Sequence, residues 1–297
     1  MKNRKRLTPY SAVAMSLTGV LLLVLCVSLL IPLVWCLYAS CKGTLDYALD
    51  AFSLPSVWHF ENYAGVLEKL QITTATNRGV VVFSIWDLFL HSAVFSVSIP
   101  LVTTIFTAFM AYVIARYRNK FSKFLYNFGI VLMILPIVGS MPSAMSLKKA
   151  LGVYDNLFLW ILTSPQGCFT GMNFLLLYQC FRGLPKAYSE AARIDGAGHY
   201  TVMFRIYLPM AIPLCTVIFV LGFLGNWNDY GTPMIWLPSY PNLAYGMYLF
   251  QYQASQFHAT QPEILAGFVI SMIPSVILYV SMQKLIVEKM QIGGLKG

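Results

Sequence analysis

The chain has 297 residues, of which 58% are hydrophobic, 15% aromatic and only 10% charged. Soluble globules carry about 25% charged residues, so this chain lacks the polar surface of a water-exposed fold, and the same figures exclude a disordered one. Six Cys in so long an apolar sequence make no disulfide scaffold, which leaves a polytopic membrane protein.

The N-terminus carries Lys2, Arg4, Lys5 and Arg6, followed by an apolar run from Ala12 to Leu37. Crossing the hydrocarbon core takes about 20 apolar residues as a helix, so this run spans it. It exceeds the roughly 7–15-residue core of a secretory signal and lacks a small-residue cleavage site, so it reads as an uncleaved span. Tyr38-Ala39-Ser40-Cys41 resembles a lipoprotein cleavage box, except that Tyr stands where an aliphatic residue belongs. Five further spans follow: Leu88 to Ala115, Phe124 to Leu147, Leu157 to Phe181, Met210 to Trp227, and Ile264 to Met282. None contains Lys, Arg, Asp or Glu, and such long uncharged runs are helices rather than the alternating strands of a barrel. The expected fold is therefore all-α with six transmembrane helices. Residues 1–11 form a cytoplasmic N-terminus, 12–283 the six-span domain, and 284–297 a cytoplasmic tail.

Charge sets the orientation. With the N-terminus inside, 15 of the 20 basic residues fall inside, among them Arg116, Arg118, Lys120, Lys123, Arg182, Lys186, Arg193 and Arg205. Only Lys42, Lys69, Arg78, Lys148 and Lys149 fall outside, with eight of the eleven acids. Both termini are cytoplasmic by the positive-inside rule, and the net charge of +9 needs no nucleic acid to explain it. The outside region from Tyr38 to Asp87 holds a strand or partial span at Val80 to Trp86. A second, from Asn228 to Glu263, is polar and aromatic, and loops this long tend to be functional.

The inside segment 182–209 is the most informative. Pro185 suits the first turn of a short helix, and Gly196 and Gly198 suit its end, where a positive φ is often needed. Glu190 falls near the helix middle, beyond the turn where the dipole favours an anion, so its charge needs another reason. Ala191 and Ala192 make a small-residue surface open to close approach by another protein. Asp195 either caps the following helix, closes the turn or meets a partner. A connector lying on the membrane competes with all of this.

The string Glu190-Ala191-Ala192, three residues, Gly196, nine residues, Ile206, one residue, Leu208-Pro209 resembles the signature cytoplasmic loop of ABC importer permeases at every fixed position. Glu61-Asn62-Tyr63, Ala111-Tyr112 to Arg116, Asn226-Trp227-Asn228 and Gly293-Gly294-Leu295-Lys296-Gly297 are similar to the carbohydrate, maltose-permease type, from Glu61 onward. The resemblance implies the type I importer architecture in the cytoplasmic membrane of a prokaryote, and a permease that pairs with a second, homologous one. A cytoplasmic ABC ATPase dimer and an extracytoplasmic solute-binding protein complete the assembly. It assigns ATPase coupling to Glu190, Ala191, Ala192, Asp195 and Gly196, and contact with the ATPase to the tail from Gln291. No phosphate-loop motif occurs in the chain, so ATP and its Mg belong to the partner, and the chain carries no cofactor and is no enzyme.

For the path, Thr163-Ser164-Pro165-Gln166-Gly167 interrupts the fourth span, and irregular backbone at membrane depth survives only where protein or water covers it. Gln166, Thr170 and Asn173 are candidate lining residues there, in competition with plain helix packing. Asn226, Trp227 and Asn228 are candidates at the end of the fifth span, where Trp also serves as a membrane anchor. His59, His91, His199 and His258 are scattered without metal-ligand spacing, so no metal site is expected. His91 reads as a packed neutral ring or a proton relay. The alternatives are an importer of another neutral or polar solute and an ion-coupled secondary carrier. Uncharged spans argue against ions as cargo, and no internal repeat or intramembrane carboxylate supports a carrier.

Overall fold

The computed structural model describes residues 9–76, 79–117, 119–135 and 139–293. Most of the N-terminal segment 1–11, together with Arg78, Arg118 and the tail residues Gly294, Leu295, Lys296 and Gly297, lies outside the described residues. The chain divides into two compact units, residues 1–69 with 250–270 and residues 70–249 with 271–297.

Helix α1 (Pro9–Ala39) is followed by the short α2 (Thr44–Leu49) and α3 (Glu61–Lys69). Its middle is apolar on every side and exposed from Val13 through Val34, and burial begins only toward its end, where Ala39 is fully buried. Such a helix is stable in lipid or against another protein. The end of α1 is pinned by Asn62, which donates to Ser40 O and Lys42 O at 2.8 and 2.9 Å, and by Tyr63, whose hydroxyl lies 2.7 Å from that of Ser40. Two members of the Glu61-Asn62-Tyr63 string are therefore fasteners of the first span. Within the same unit, the Lys69 ammonium meets both Glu263 oxygens at 2.7 and 2.9 Å.

The second unit opens on an antiparallel hairpin, β1 (Gln71–Thr76) and β2 (Gly79–Ser84), with Gln71 opposite Ser84. The expected strand over Val80 is present, and its partner amends the all-α expectation. Helix α4 (Ile85–Arg116) starts where the Asp87 carboxylate accepts from the N–H and hydroxyl of Ser84, a helix-start pairing that satisfies otherwise orphaned donors. His91 near its start is a packed ring: Nδ1 lies 2.9 Å from Pro241 O, so it is the protonated nitrogen, and Phe83 and Tyr240 meet the ring edge-on.

The third expected span is two helices, α5 (Lys120–Ile134) and α6 (Met141–Ala150). The fourth is also broken, into α7 (Leu157–Thr163), a 3-10 turn (Ser164–Gly167) and α8 (Gly171–Gly183), because Pro165 cannot donate and Thr170 turns extended. The 3-10 turn is followed by Phe169, whose carbonyl approaches α5 so closely that a Cβ on Gly129 would lie 2.4 Å from it. Gly129→Ala therefore forces the two segments apart, and we predict a loss of about 1–3 kcal/mol, the usual cost of overpacking. An unchanged unfolding midpoint of the purified protein would refute this.

Beyond α8 come α9 (Ala187–Ile194), α10 (His199–Val202), a π turn (Met203–Tyr207) and α11 (Leu208–Trp227). From His199 to Trp227 the chain is continuously helical. Pro209 and Pro213 deprive two carbonyls of their donors four residues on, and a wider turn absorbs such a defect. The expected loop from Asn228 contains α12 (Gly231–Trp236) and α13 (Leu243–Tyr252), and α14 (Gln261–Gly293) carries the last span on through Gly293, well into the expected tail. Among the described residues four helices are long and apolar enough to cross a membrane, those of the first, second, fifth and sixth expected spans. Helices α4, α8 and α11 contribute to a shared buried core in which the Tyr112 ring meets those of Phe181 and Tyr207.

Candidate functional site

Segment 182–209 is a helix–turn–helix mounted on that core. Helix α9 begins at Ala187 with Lys186 as its cap, so Pro185 lies before the first turn rather than in it. Glu190 falls within that first turn, not the helix middle, and the dipole there favours its charge after all. At the other end, Gly196 has φ +80°, its N–H reaches Arg193 O at 3.0 Å, and the N–H of Ala197 reaches Ala192 O at 2.8 Å. These two bonds are the Schellman closure, which requires a left-handed residue at this position. Asp195 is the C-cap of α9, closing the turn and not capping the next helix, which Gly198 precedes with an extended φ of −72°. Gly196→Val strains the turn by about 1–2 kcal/mol. We predict roughly tenfold faster hydrogen exchange at the Ala197 amide; equal exchange would show that the turn is not so held.

Two residues that sequence reasoning assigned no role fix this segment in place. Arg116, at the end of α4, donates to Leu184 O at 3.0 Å and to the Tyr207 hydroxyl, with its guanidinium 4.1 Å from the Tyr207 ring centroid. Tyr207 is fully buried and its hydroxyl donates a hydrogen bond to Pro185 O at 3.3 Å. An Arg ending the Ala111 string and a Tyr inside Ile206-Tyr207-Leu208-Pro209 were the available signals. Ala192 of α9 and Ala197 just past its closing turn pack against the same core, so the segment is seated by small residues. Its opposite side is open, with Tyr188 48% and Ile194 87% exposed and Ala191 and Asp195 exposed beside them.

The five coupling candidates thus form one helix and its closing turn. The path candidates fall in two places. Gln166 and Asn173 are exposed around the broken fourth span, and the Thr170 hydroxyl donates to Gly167 O at 3.1 Å. At the end of α11, the amides of Asn226 and of the cap residue Asn228 both fold back at 2.8 Å onto carbonyls one turn earlier, Gly222 O and Leu224 O, and Asn228 is exposed. Trp227 is 2% exposed, donates to Ser271 O at 2.9 Å and packs on Phe89 and Phe223. It therefore holds helices together here and offers no face to a path. Among the described residues no hydrogen bond links the two groups.

The family described as binding-protein-dependent transport system inner membrane component matches residues 103–292, which take in the whole helix–turn–helix. The chain belongs to that family. It is 28% identical over 277 residues to the diacetylchitobiose uptake system permease protein NgcG of Streptomyces coelicolor, covering 91% of this chain and 85% of the relative. The multiple sugar-binding transport system permease protein MsmG of Streptococcus mutans is also 28% identical, over 93% of this chain and 95% of its own length. Among solved structures, a chain of a bacterial ABC transporter involved in the import of the acidic polysaccharide alginate matches with a TM-score of 0.75. That match has 22% identity and covers 94% of this chain and 98% of the other. This permease thus has the fold of an ABC importer chain and is a multi-pass membrane protein.

Proposed function

We propose that the chain is the permease subunit of a binding-protein-dependent ABC importer for a neutral carbohydrate, coupled to a separate ATPase through α9. The observation that carries this is the family match across a helix that is rigidly seated on one side and exposed on the other. Six crossings are proposed: four continuous helices and the two broken ones, in the type I arrangement with both termini cytoplasmic. A second, homologous permease completes the path, an ATPase dimer binds ATP and Mg, and an extracytoplasmic binding protein delivers the solute.

In this reading Tyr188, Ala191, Ile194 and Asp195 meet the ATPase, with Glu190 beside them for a basic partner. A helix so seated transmits rigid-body motion, and ATP drives transport by favouring one state of the permease pair over the other. Exposed Gln166 and Asn173 on a broken membrane-depth segment, with Thr170, Asn226 and Asn228, supply hydrogen-bonding groups to the path. Sugar names on several relatives and the uncharged spans support the carbohydrate reading.

The test is gentle solubilisation of the tagged chain from its native membrane, identification of stoichiometric companions, and uptake of radiolabelled neutral disaccharides by cells with and without the chain. A second permease and an ATPase with sugar-specific uptake are expected. A folded chain that purifies alone would overturn the importer reading; the full set of partners without sugar uptake would overturn only the carbohydrate.

A further inference from the structure

The seated side of α9 closes a cavity of about 350 Å³ whose wall is made by the ends of α4 and α8, by α9 and by α10. Arg116, Arg182, Lys186, Arg193 and His199 line it, against the single carboxylate of Glu190. On α9 the lining residues are Lys186, Ser189, Glu190 and Arg193, the spacing of one helix face, so the cations converge by geometry and are not scattered by a general excess. Arg116 is already fixed in orientation by its carbonyl and Tyr207 contacts. Among the described residues neither Lys186 nor Arg193 forms an ion pair, and Arg182 contacts Tyr178, at 3.4 Å to its hydroxyl and 5.9 Å to its ring centroid. An adjoining cavity of about 270 Å³ shares Ala115 and Arg182 and adds Lys123 with the apolar faces of Ile114 and Tyr126.

We infer that this paired cavity binds a phosphate group. Three guanidinium and two ammonium groups outnumber the one carboxylate, and the guanidinium fork matches phosphate oxygens two at a time. Free phosphate or a phosphomonoester brings three or more acceptor oxygens and more than one negative charge, and a phospholipid phosphodiester brings two free oxygens and one charge, which the guanidinium forks can bind in pairs. The source is either the headgroup of an anionic phospholipid, for which basic pockets between membrane helices are a known kind of receptor, or a soluble phosphate. Glu190 opposes the anion, so the bound group sits toward Arg116, Arg182 and Arg193, and its occupancy stiffens the seat of α9. That the cavity faces the cytoplasm rests on the orientation proposed above; its binding chemistry does not.

The experiment uses the purified complex, with whatever companions it retains, in a zwitterionic detergent. Its thermal unfolding is followed while phosphatidylglycerol, phosphatidylcholine or inorganic phosphate is titrated in, for wild type and for the double substitution Lys186→Gln, Arg193→Gln. Both residues are exposed, so folding survives their loss. The substitution Arg205→Gln, an exposed cation that does not line the cavity, is the control. We expect saturable stabilisation of wild type and control, with half-saturation raised about tenfold or more in the double variant, since two charge-assisted contacts are lost. Stabilisation by phosphatidylglycerol alone identifies a lipid headgroup, and stabilisation by inorganic phosphate identifies a soluble ligand. Equal response to phosphatidylcholine, no response to either phosphate source, or an unchanged double variant would overturn the site.

Discussion

Glu190→Lys is expected to abolish transport while leaving the chain inserted at normal abundance. Glu190 is exposed and ion-pairs with nothing among the described residues, so its loss removes no internal fastening. The reversal instead adds a further cation beside Arg116, Arg182, Lys186 and Arg193, in the first turn of α9, where the dipole disfavours it. A basic residue on the ATPase would then face repulsion in place of attraction. Losing one member of an interfacial charge pair costs about 2 kcal/mol or more, so retention of the ATPase on the purified permease should fall roughly thirtyfold. Glu190→Gln, which removes the charge without inverting it, should fall between. Cells carrying the lysine variant at wild-type abundance and taking up solute at the normal rate would remove Glu190 from the mechanism.

A larger effect on stability is expected at Lys69. Its ammonium donates to both oxygens of Glu263 and, at 3.0 Å, to His258 O. Glu263 is 7% exposed and also accepts from the N–H of Thr260 at 2.8 Å, and Gly65 leaves room for it, since a Cβ there would lie 2.5 Å from Oε1. Lys69→Ala strands that carboxylate away from water. Breaking this half-buried pair costs about 2–3 kcal/mol, which for a chain of this size lowers the unfolding midpoint by roughly 3–5 °C. Lys69→Met combined with Glu263→Leu removes both charges and should recover most of the loss, because the penalty belongs to the uncompensated ion. If the single and double variants melt together, the pair is not what holds α3 to the start of α14.

Four spans were legible because an uncharged run of twenty or more residues has few alternatives in lipid. The broken fourth span was legible too, in Ser-Pro-Gln-Gly. The third was not read as broken, although Pro136, Gly139 and Pro142 all stand within it, because hydropathy averages over short interruptions. The hairpin was half seen: Val80 to Val82 advertises a strand, whereas the Thr-rich Gln71–Thr76 is polar enough to pass for loop. In segment 182–209 the pattern revealed which residues cluster but not which way they face. That depended on where α9 starts, and a two-residue shift of its cap from the position suggested by Pro185 moved Glu190 into the first turn. The mounting by Arg116 and Tyr207 joins residues far apart in the chain, which no local spacing reveals.

The unbroken helix from His199 to Trp227 gives the segment mechanical advantage. Twenty-nine residues at 1.5 Å each make a rod of about 43 Å, with the Gly196 turn at one end and Asn226 and Asn228 at the other. If the rod pivots at the turn, a tilt of roughly 10° sweeps the far end through about 7 Å, the width of a sugar ring. The π turn, which ends on the fully buried Tyr207, lies near the foot of this lever, where a slight change of pitch is magnified most.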